Sequence, residues 1–264
     1  MTVNSIGPIN KLQFDWVRVA TKDYKAYLDL VAALRRKYKH WKPHKWLQYK
    51  GQRSSSKVFY GTGTQGTKSH CVVECSGNQA HEFGLWLLKQ SDVLAGKWYA
   101  TRIDLQVTKP HPKGYDSRKA YKRLRGVKKH IESPTGNTLY IGSRTSDTMW
   151  RLYDKTEELL RVEIEIKGKQ AKRTWSSLIQ GLNMGNIWQA YLLRSRVPKV
   201  ITDRFQVAET AELYDLEEPD NPMQAKLDWL KSLDELVYKL ANDHDTGEAT
   251  ATLISRWHEY TTKP

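Results

Sequence analysis

The sequence predicts an α+β protein built from two similar halves, followed by an acidic helical segment. Three observations carry that prediction. Alternating strands and amphipathic helices recur twice in one order, short residue runs match between the two passages, and the charge balance inverts towards the C-terminus. With 264 residues, 39% of them hydrophobic and 11% aromatic, the chain can bury a substantial core.

In the first half, residues 14–21 (FDWVRVAT) alternate as a strand, and residues 23–38 have helical spacing with Tyr27, Leu30, Val31 and Leu34 on one side. Extended segments at 45–49, 57–61 and 69–76 lead to a helix at 78–90. The second half predicts a strand at 98–108, a helix at 116–129, extended segments at 138–143, 148–155 and 160–167, and a helix at 169–180. Each half thus reads β-α-β-β-β-α, an RRM-like order. VVECSGNQAHEFGLWLL lies over EIEIKGKQAKRTWSSLI, placing Gly77 on Gly168, Gln79 and Ala80 on Gln170 and Ala171, and Glu74 on Glu165. Gly61 likewise matches Gly142, and Asp15 matches Asp104. An internal duplication is the economical reading, with two sheets packed around a pseudo-twofold axis. The expected divisions are 1–96, 97–196 and 197–264. In the last, residues 223–241 and 247–260 have helical spacing and form a C-terminal helical appendage.

The chain carries 43 Lys and Arg against 29 Asp and Glu, a net charge of +14. Residues 201–264 hold 14 acidic and 6 basic side chains, which leaves +22 on the first 200 residues. A polyanionic partner is expected from that field. No apolar run of membrane-spanning length and no basic-then-apolar leader is present, so a cytoplasmic protein without a membrane partner is expected. Cys71 and Cys75 on one strand would sit about 13 Å apart, too far for a disulfide, and their surroundings match no zinc signature.

Candidate chemistry gathers in the second half. The strand YATRIDLQVT carries Asp104 among apolar neighbours, and LRVEIEIKG places Glu163 and Glu165 on one face. Carboxylates crowded on one face repel each other unless a cation sits between them, and these three would make a hard oxygen site for Mg²⁺ or Mn²⁺. The alternative is a solvated face on which the two glutamates pair with Arg161 and Lys167. In WRLYDK, alternation directs Arg151, Tyr153 and Lys155 to one face, offering two cations and a phenol to a phosphodiester. The run SRKAYKRLRGVKK supplies Arg118, Lys119, Lys122, Arg123, Arg125, Lys128 and Lys129, of which 118, 122, 125 and 129 share a helical face and could track a phosphate backbone. Aromatic and basic residues interleave in KYKHWKPHKWLQYKGQR, a pattern suited to stacking on unpaired bases. Binding of single-stranded RNA is disfavoured, because neither half holds an aromatic RNP-like octamer.

Taken in order, YKGQRSSSKVFYGTGTQG, CSGNQA, TRIDLQVT, TLYIGSRTS, RLYDK and RVEIEIKGKQA resemble the Rep_trans family of replication initiation factors, which includes rolling-circle initiators of plasmids and filamentous phages and relaxases of conjugative elements. The resemblance implies a metal-dependent endonuclease that binds origin DNA, duplex and single-stranded, and nicks one strand by tyrosine transesterification. By that resemblance Asp104 and Glu163 are metal ligands, and Lys155 matches the lysine of a Y-[DE]-K motif. The family's nucleophilic tyrosine is expected in the helix after the glutamate strand, yet residues 168–181 contain none. Tyr191 is the first tyrosine beyond that strand, with Tyr153 and Tyr140 as the other candidates. A non-catalytic DNA-binding or replication accessory protein on the same fold is the alternative. A helicase and a second copy of the chain are further candidate partners.

Overall fold

The computed structural model describes residues 10–206 apart from 66–67, 91–93, 95 and 135. The chain divides into two compact units, Met1–Tyr214 and Asp215–Pro264. The helices expected at 223–241 and 247–260 lie outside the described residues.

A mixed α+β architecture is observed. Strands β1 (Gln13–Thr21), β2 (Lys42–Trp46), β3 (Tyr49–Arg53), β4 (Phe59–Gln65) and β5 (Lys68–Ser76) form the first half of the sheet, with helices α1 (Tyr24–Lys37) and α2 (Ala80–Leu88). Strands β6 (Tyr99–Pro110), β7 (Lys128–Ser133), β8 (Gly136–Ile141), β9 (Thr148–Asp154) and β10 (Leu159–Lys167) form the second, with helices α3 (Ser117–Arg123) and α4 (Gly168–Ile179). Helices α5 (Met184–Leu193) and α6 (Lys199–Arg204) follow. The sheet order is β2-β3-β4-β5-β1-β6-β10-β9-β8-β7, with every neighbour antiparallel. The expectation of two separate sheets is thereby corrected: β1 and β6 hydrogen-bond to each other and join all ten strands into one.

Four strands, not three, follow the first helix of each half. The extended segment expected at 45–49 is broken at Leu47, whose φ of 51° turns the chain between β2 and β3. The helix expected at 116–129 ends at Arg123, and Lys128 opens β7. Lys128 Nζ donates to the carbonyls of Tyr121 and Leu124 at 2.5 and 2.6 Å, satisfying acceptors that a longer helix would have used. At the N-terminus of α3, Asp116 accepts from the amides of Arg118 and Lys119.

Alternation gives the sheet two different faces. Ile103, Leu105 and Val107 of β6 line up with Val162, Ile164 and Ile166 of β10 on the side covered by helices, all fully buried. Trp150 of β9, paired with Ile164, meets Trp188 of α5 edge to face at 5.4 Å. Val197, Ile201 and Phe205 are also buried, and Trp188 Nε1 donates to the Phe205 carbonyl, so residues 197–205 pack into this layer. Cys71 and Cys75 are buried free thiols, as their spacing predicts. No helix among the described residues is long and apolar enough to cross a membrane.

On the opposite, open face the first half carries a cluster of Ala20, Tyr49, Phe59 and Val72, against which Trp46 and Tyr99 pack. Trp46 lies 4.1 Å from the Arg18 guanidinium although β2 and β1 are four strand positions apart. On a flat sheet that separation would be about 19 Å, so the β2–β3 wing curls over the open face. Gly51 and Gly61, paired across β3 and β4, make the bend possible. A Cβ on Gly51 would run into the Tyr60 carbonyl oxygen, and one on Gly61 would sit 2.6 Å from the Phe59 ring. Gly51→Ala should therefore lower the unfolding free energy by about 3 kcal/mol, against about 1 kcal/mol for Gly77→Ala, where φ is +72° but the space is open. Urea denaturation of the two variants checks this.

Candidate metal centre

β6 and β10 bring their acidic residues together by register. Glu163 lies opposite Gln106 and Glu165 opposite Asp104, so all four side chains project from the open face. A third strand contributes through an irregularity. Phe14 pairs with Leu105 and Trp16 with Asp104, leaving Asp15 as the extra residue of a bulge in β1. Bulges re-aim side chains, and here Asp15, Asp104 and Glu163 each place a carboxylate oxygen within 4.8 Å of the other two. Asp104 is 0% exposed and Glu163 1%.

Two guanidiniums hold this cluster. Arg102 donates from Nε and Nη2 to the two oxygens of Asp104 at 2.8 and 2.6 Å, and Nη2 also meets Glu165 Oε2 at 2.8 Å. Arg151 Nη2 bonds Asp104 Oδ2 at 3.2 Å and Glu163 Oε1. Burial pushes Asp104 and Glu163 towards protonation, opposed by Arg102 at Asp104 and by Arg151 at both; Glu163 is driven up to about 8. Glu165 behaves differently, because contacts with Lys167 and Arg102 outweigh its burial and pull its carboxyl below the usual range. Lys167 Nζ sits 2.9 Å from its Oε1. The structure thus groups Asp15, rather than Glu165, with Asp104 and Glu163. The alignment of Asp15 with Asp104 between the halves was the available signal; strand alternation alone could not reveal a bulge.

Tyr153 and Lys155 reach the same face. Tyr153 pairs with Arg161 two residues along from the Arg151–Glu163 pair, and the Lys155 ammonium is 5.8 Å from its ring. Burial and nearby Glu163 push the Tyr153 phenol up to about 12, while burial and the Arg161 charge lower Lys155. Tyr140, paired with Arg151, also projects from this face. Tyr191 does not join them. Its hydroxyl lies 3.1 Å from Thr174 Oγ1 and donates to Gln170 Oε1 at 3.2 Å, within the helical layer on the other side of the sheet.

The basic run is likewise divided. His130 of β7 is paired with buried Leu139 on the helix side, and α3 packs there through Ser117 and Tyr121 against His130. Arg118, Lys119, Lys122 and Arg123 therefore belong to the helical layer's rim, with Arg118 paired to Glu132 at 2.8 Å. Arg125 lies in the following turn, and Lys128 is committed to the end of α3. Lys129, opposite Tyr140, and Arg151 share the carboxylate face. The single helical stripe expected through 118, 122, 125 and 129 does not form, because the helix stops at Arg123.

The residues present suit a hard divalent cation. All three clustered donors are carboxylates, and Gln106, opposite Glu163, has a buried Oε1 without a hydrogen-bond partner. The Rep_trans family model, replication initiation factor, matches residues 106–259, a span that contains Glu163 and begins just after Asp104. Among curated proteins none matches the chain.

The raised Glu163 makes a pH-dependent prediction. An unfolded glutamate releases its proton near pH ~4.3, whereas folded Glu163 keeps it to about 8. Between these values the folded state binds more protons than the unfolded one, so stability falls as pH rises. In EDTA the melting temperature should drop from about pH 5 to about pH 8, Glu163→Gln should flatten that slope, and Mn²⁺ should stabilise the protein more at the higher pH. Equal slopes in the two proteins would contradict the assignment.

Proposed function

The chain belongs to the Rep_trans family of replication initiation factors, and from that membership we propose that it nicks one strand of origin DNA at the face built from Asp15, Asp104 and Glu163. The convergence of these three carboxylates from three strands is the observation that carries the reading. A divalent ion, Mg²⁺ or Mn²⁺, would supply charge neutralisation at the phosphate and favour the deprotonated form of an attacking hydroxyl.

The protein's own residues supply the rest. Arg151 and Arg161 border the cluster and orient a phosphodiester by charge-assisted hydrogen bonds. Tyr153 is the proposed nucleophile: its hydroxyl proton passes to water as its oxygen bonds to phosphorus, the phosphorus bond to the 3′ oxygen breaks, and that oxygen takes a proton back from water to leave as a 3′ hydroxyl. The 5′ end stays on the tyrosine until the reverse step rejoins the strand. Lys155, beside the ring, steadies the phenolate charge.

The mirrored strand order supports treating 1–96 and 97–196 as RRM-like pseudo-repeats, the first for binding and the second for chemistry. Residues 197–264 are proposed to engage a helicase, with the protein acting in the cytoplasm as a monomer or homodimer on the rolling-circle replicon of a plasmid or phage. A second reading, origin binding without nicking, is favoured by the absence of tyrosine from α4.

A supercoiled plasmid bearing the cognate origin should be relaxed in Mn²⁺ with a denaturant-stable adduct mapped by mass spectrometry to Tyr153. Tyr153→Phe should reduce the adduct at least about a hundredfold, and Tyr191→Phe should leave it intact. No adduct, together with DNA binding indifferent to EDTA, would establish the second reading instead.

A further inference from the structure

The three clustered carboxylates have a neutral neighbour that the nicking chemistry does not use. Gln106 is the next residue of β6 on the open face after Asp104, and it lies directly opposite Glu163 of β10. On the other flank of β6, Gln13 is opposite Gln106 and Trp16 is opposite Asp104, so the bulged Asp15 emerges between those two levels. Asp104 and Gln106 therefore occupy the middle strand, with Glu163 on one side and Asp15 on the other. The patch in which the three carboxylate oxygens lie within 4.8 Å of one another is bordered by Gln106 as well.

The state of this side chain points to a ligand. Gln106 is 7% exposed, and its Oε1 is buried with no hydrogen-bond partner, an expensive condition for an acceptor. The guanidiniums of the face are committed elsewhere: Arg102 to Asp104 and Glu165, and Arg151 to Asp104 and Glu163. Arg151 Nε is also buried and unpartnered, but its strand stands two positions from β6 and the two atoms do not meet. Ionised carboxylates cannot answer an amide oxygen, since both are acceptors. A hard cation answers both, and glutamine carbonyls are suitable oxygen donors to such ions. Neutrality matters here, because a fourth carboxylate would add to the repulsion among the other three. Glu165, the remaining acid of the face, is drawn to Arg102 and Lys167 at 2.8 and 2.9 Å.

We infer that Gln106 Oε1 is a fourth protein ligand of the divalent ion, beside Asp15, Asp104 and Glu163. This rests on the reading of the cluster as a metal centre and deepens it by naming the donor that completes the protein's share of the coordination. Three carboxylates and one amide oxygen form an all-oxygen set, which suits Mg²⁺ or Mn²⁺ and disfavours ions that seek nitrogen or sulfur.

The test uses the full chain, with Mn²⁺ binding read from the loss of the free ion's EPR signal and the melting temperature in EDTA as an independent readout. Gln106→Leu removes the amide at similar volume. It should raise the Mn²⁺ dissociation constant at least about tenfold and leave the EDTA melting temperature unchanged or higher, because an unpartnered buried acceptor is lost. Gln106→Glu, which returns an oxygen, should recover the Mn²⁺ affinity while melting lower in EDTA through the added repulsion. In Gln106→His the visible absorption of bound Co²⁺ should move to shorter wavelength as nitrogen replaces oxygen, a signature that a residue away from the ion does not produce. If Gln106→Leu binds Mn²⁺ as tightly as the wild type, the fourth ligand is overturned and the metal centre stands. If the wild type takes up no Mn²⁺, the ligand assignment and the metal-dependent nicking reading fall together. If Gln106→Leu loses Mn²⁺ while the wild type forms no DNA adduct, the assignment holds and the nicking chemistry fails.

Discussion

Three carboxylates gathered on one face of a sheet repel each other, and burial strengthens the repulsion because little solvent remains to screen it. Much of the open face around β6 and β10 answers that demand. Arg102 comes from two residues before Asp104 on the same strand, and Arg151 from directly opposite Glu163 on the next. Neither cation can be removed without stranding a buried charge, which costs far more than an exposed ion pair contributes. The arrangement is also ready for exchange, since a divalent ion offers the same carboxylates more charge in less volume.

Strand alternation was sufficient to place Asp104 and Glu163 on one face, because period-two geometry is rigid and the register between β6 and β10 has no irregularity. It also put Glu165 on that face, but a shared face does not say which cation each carboxylate finds, and Glu165 pairs with Arg102 and Lys167. Asp15 was matched to Asp104 but not counted among the ligands, because an extra residue in β1 redirects a side chain without disturbing the apolar pattern around it. The helix expected at 116–129 was too long because its basic run has helical composition throughout, whereas the observed stop depends on a side chain, Lys128, folding back from the next strand. Tyr191 illustrates the largest gap. Closeness in sequence to the glutamate strand carries no information about which side of the sheet the following helices cover.

The two halves place different chemistry on equivalent ground. In the internal alignment Val72 occupies the position of Glu163, and in the structure it sits beneath an aromatic cluster instead of beside a guanidinium. Arg18 pairs across β1 and β6 with Arg102, so the seam between the halves is cationic from both sides. One architecture therefore presents an apolar, ring-lined surface and an acidic, ion-ready one side by side, with a positive border between them.

The strand order has a consequence for behaviour at high concentration. An open sheet ends in two strands with unpaired amides and carbonyls, among the described residues β2 and β7, and such margins invite zippering onto other chains. β2 begins with Lys42, Pro43 and Lys45, and β7 with Lys128 and Lys129. Any two of these margins brought together would oppose like charges, and the proline offers no amide to extend the ladder. The two places most vulnerable to amyloid-like growth thus each carry their own defence against it.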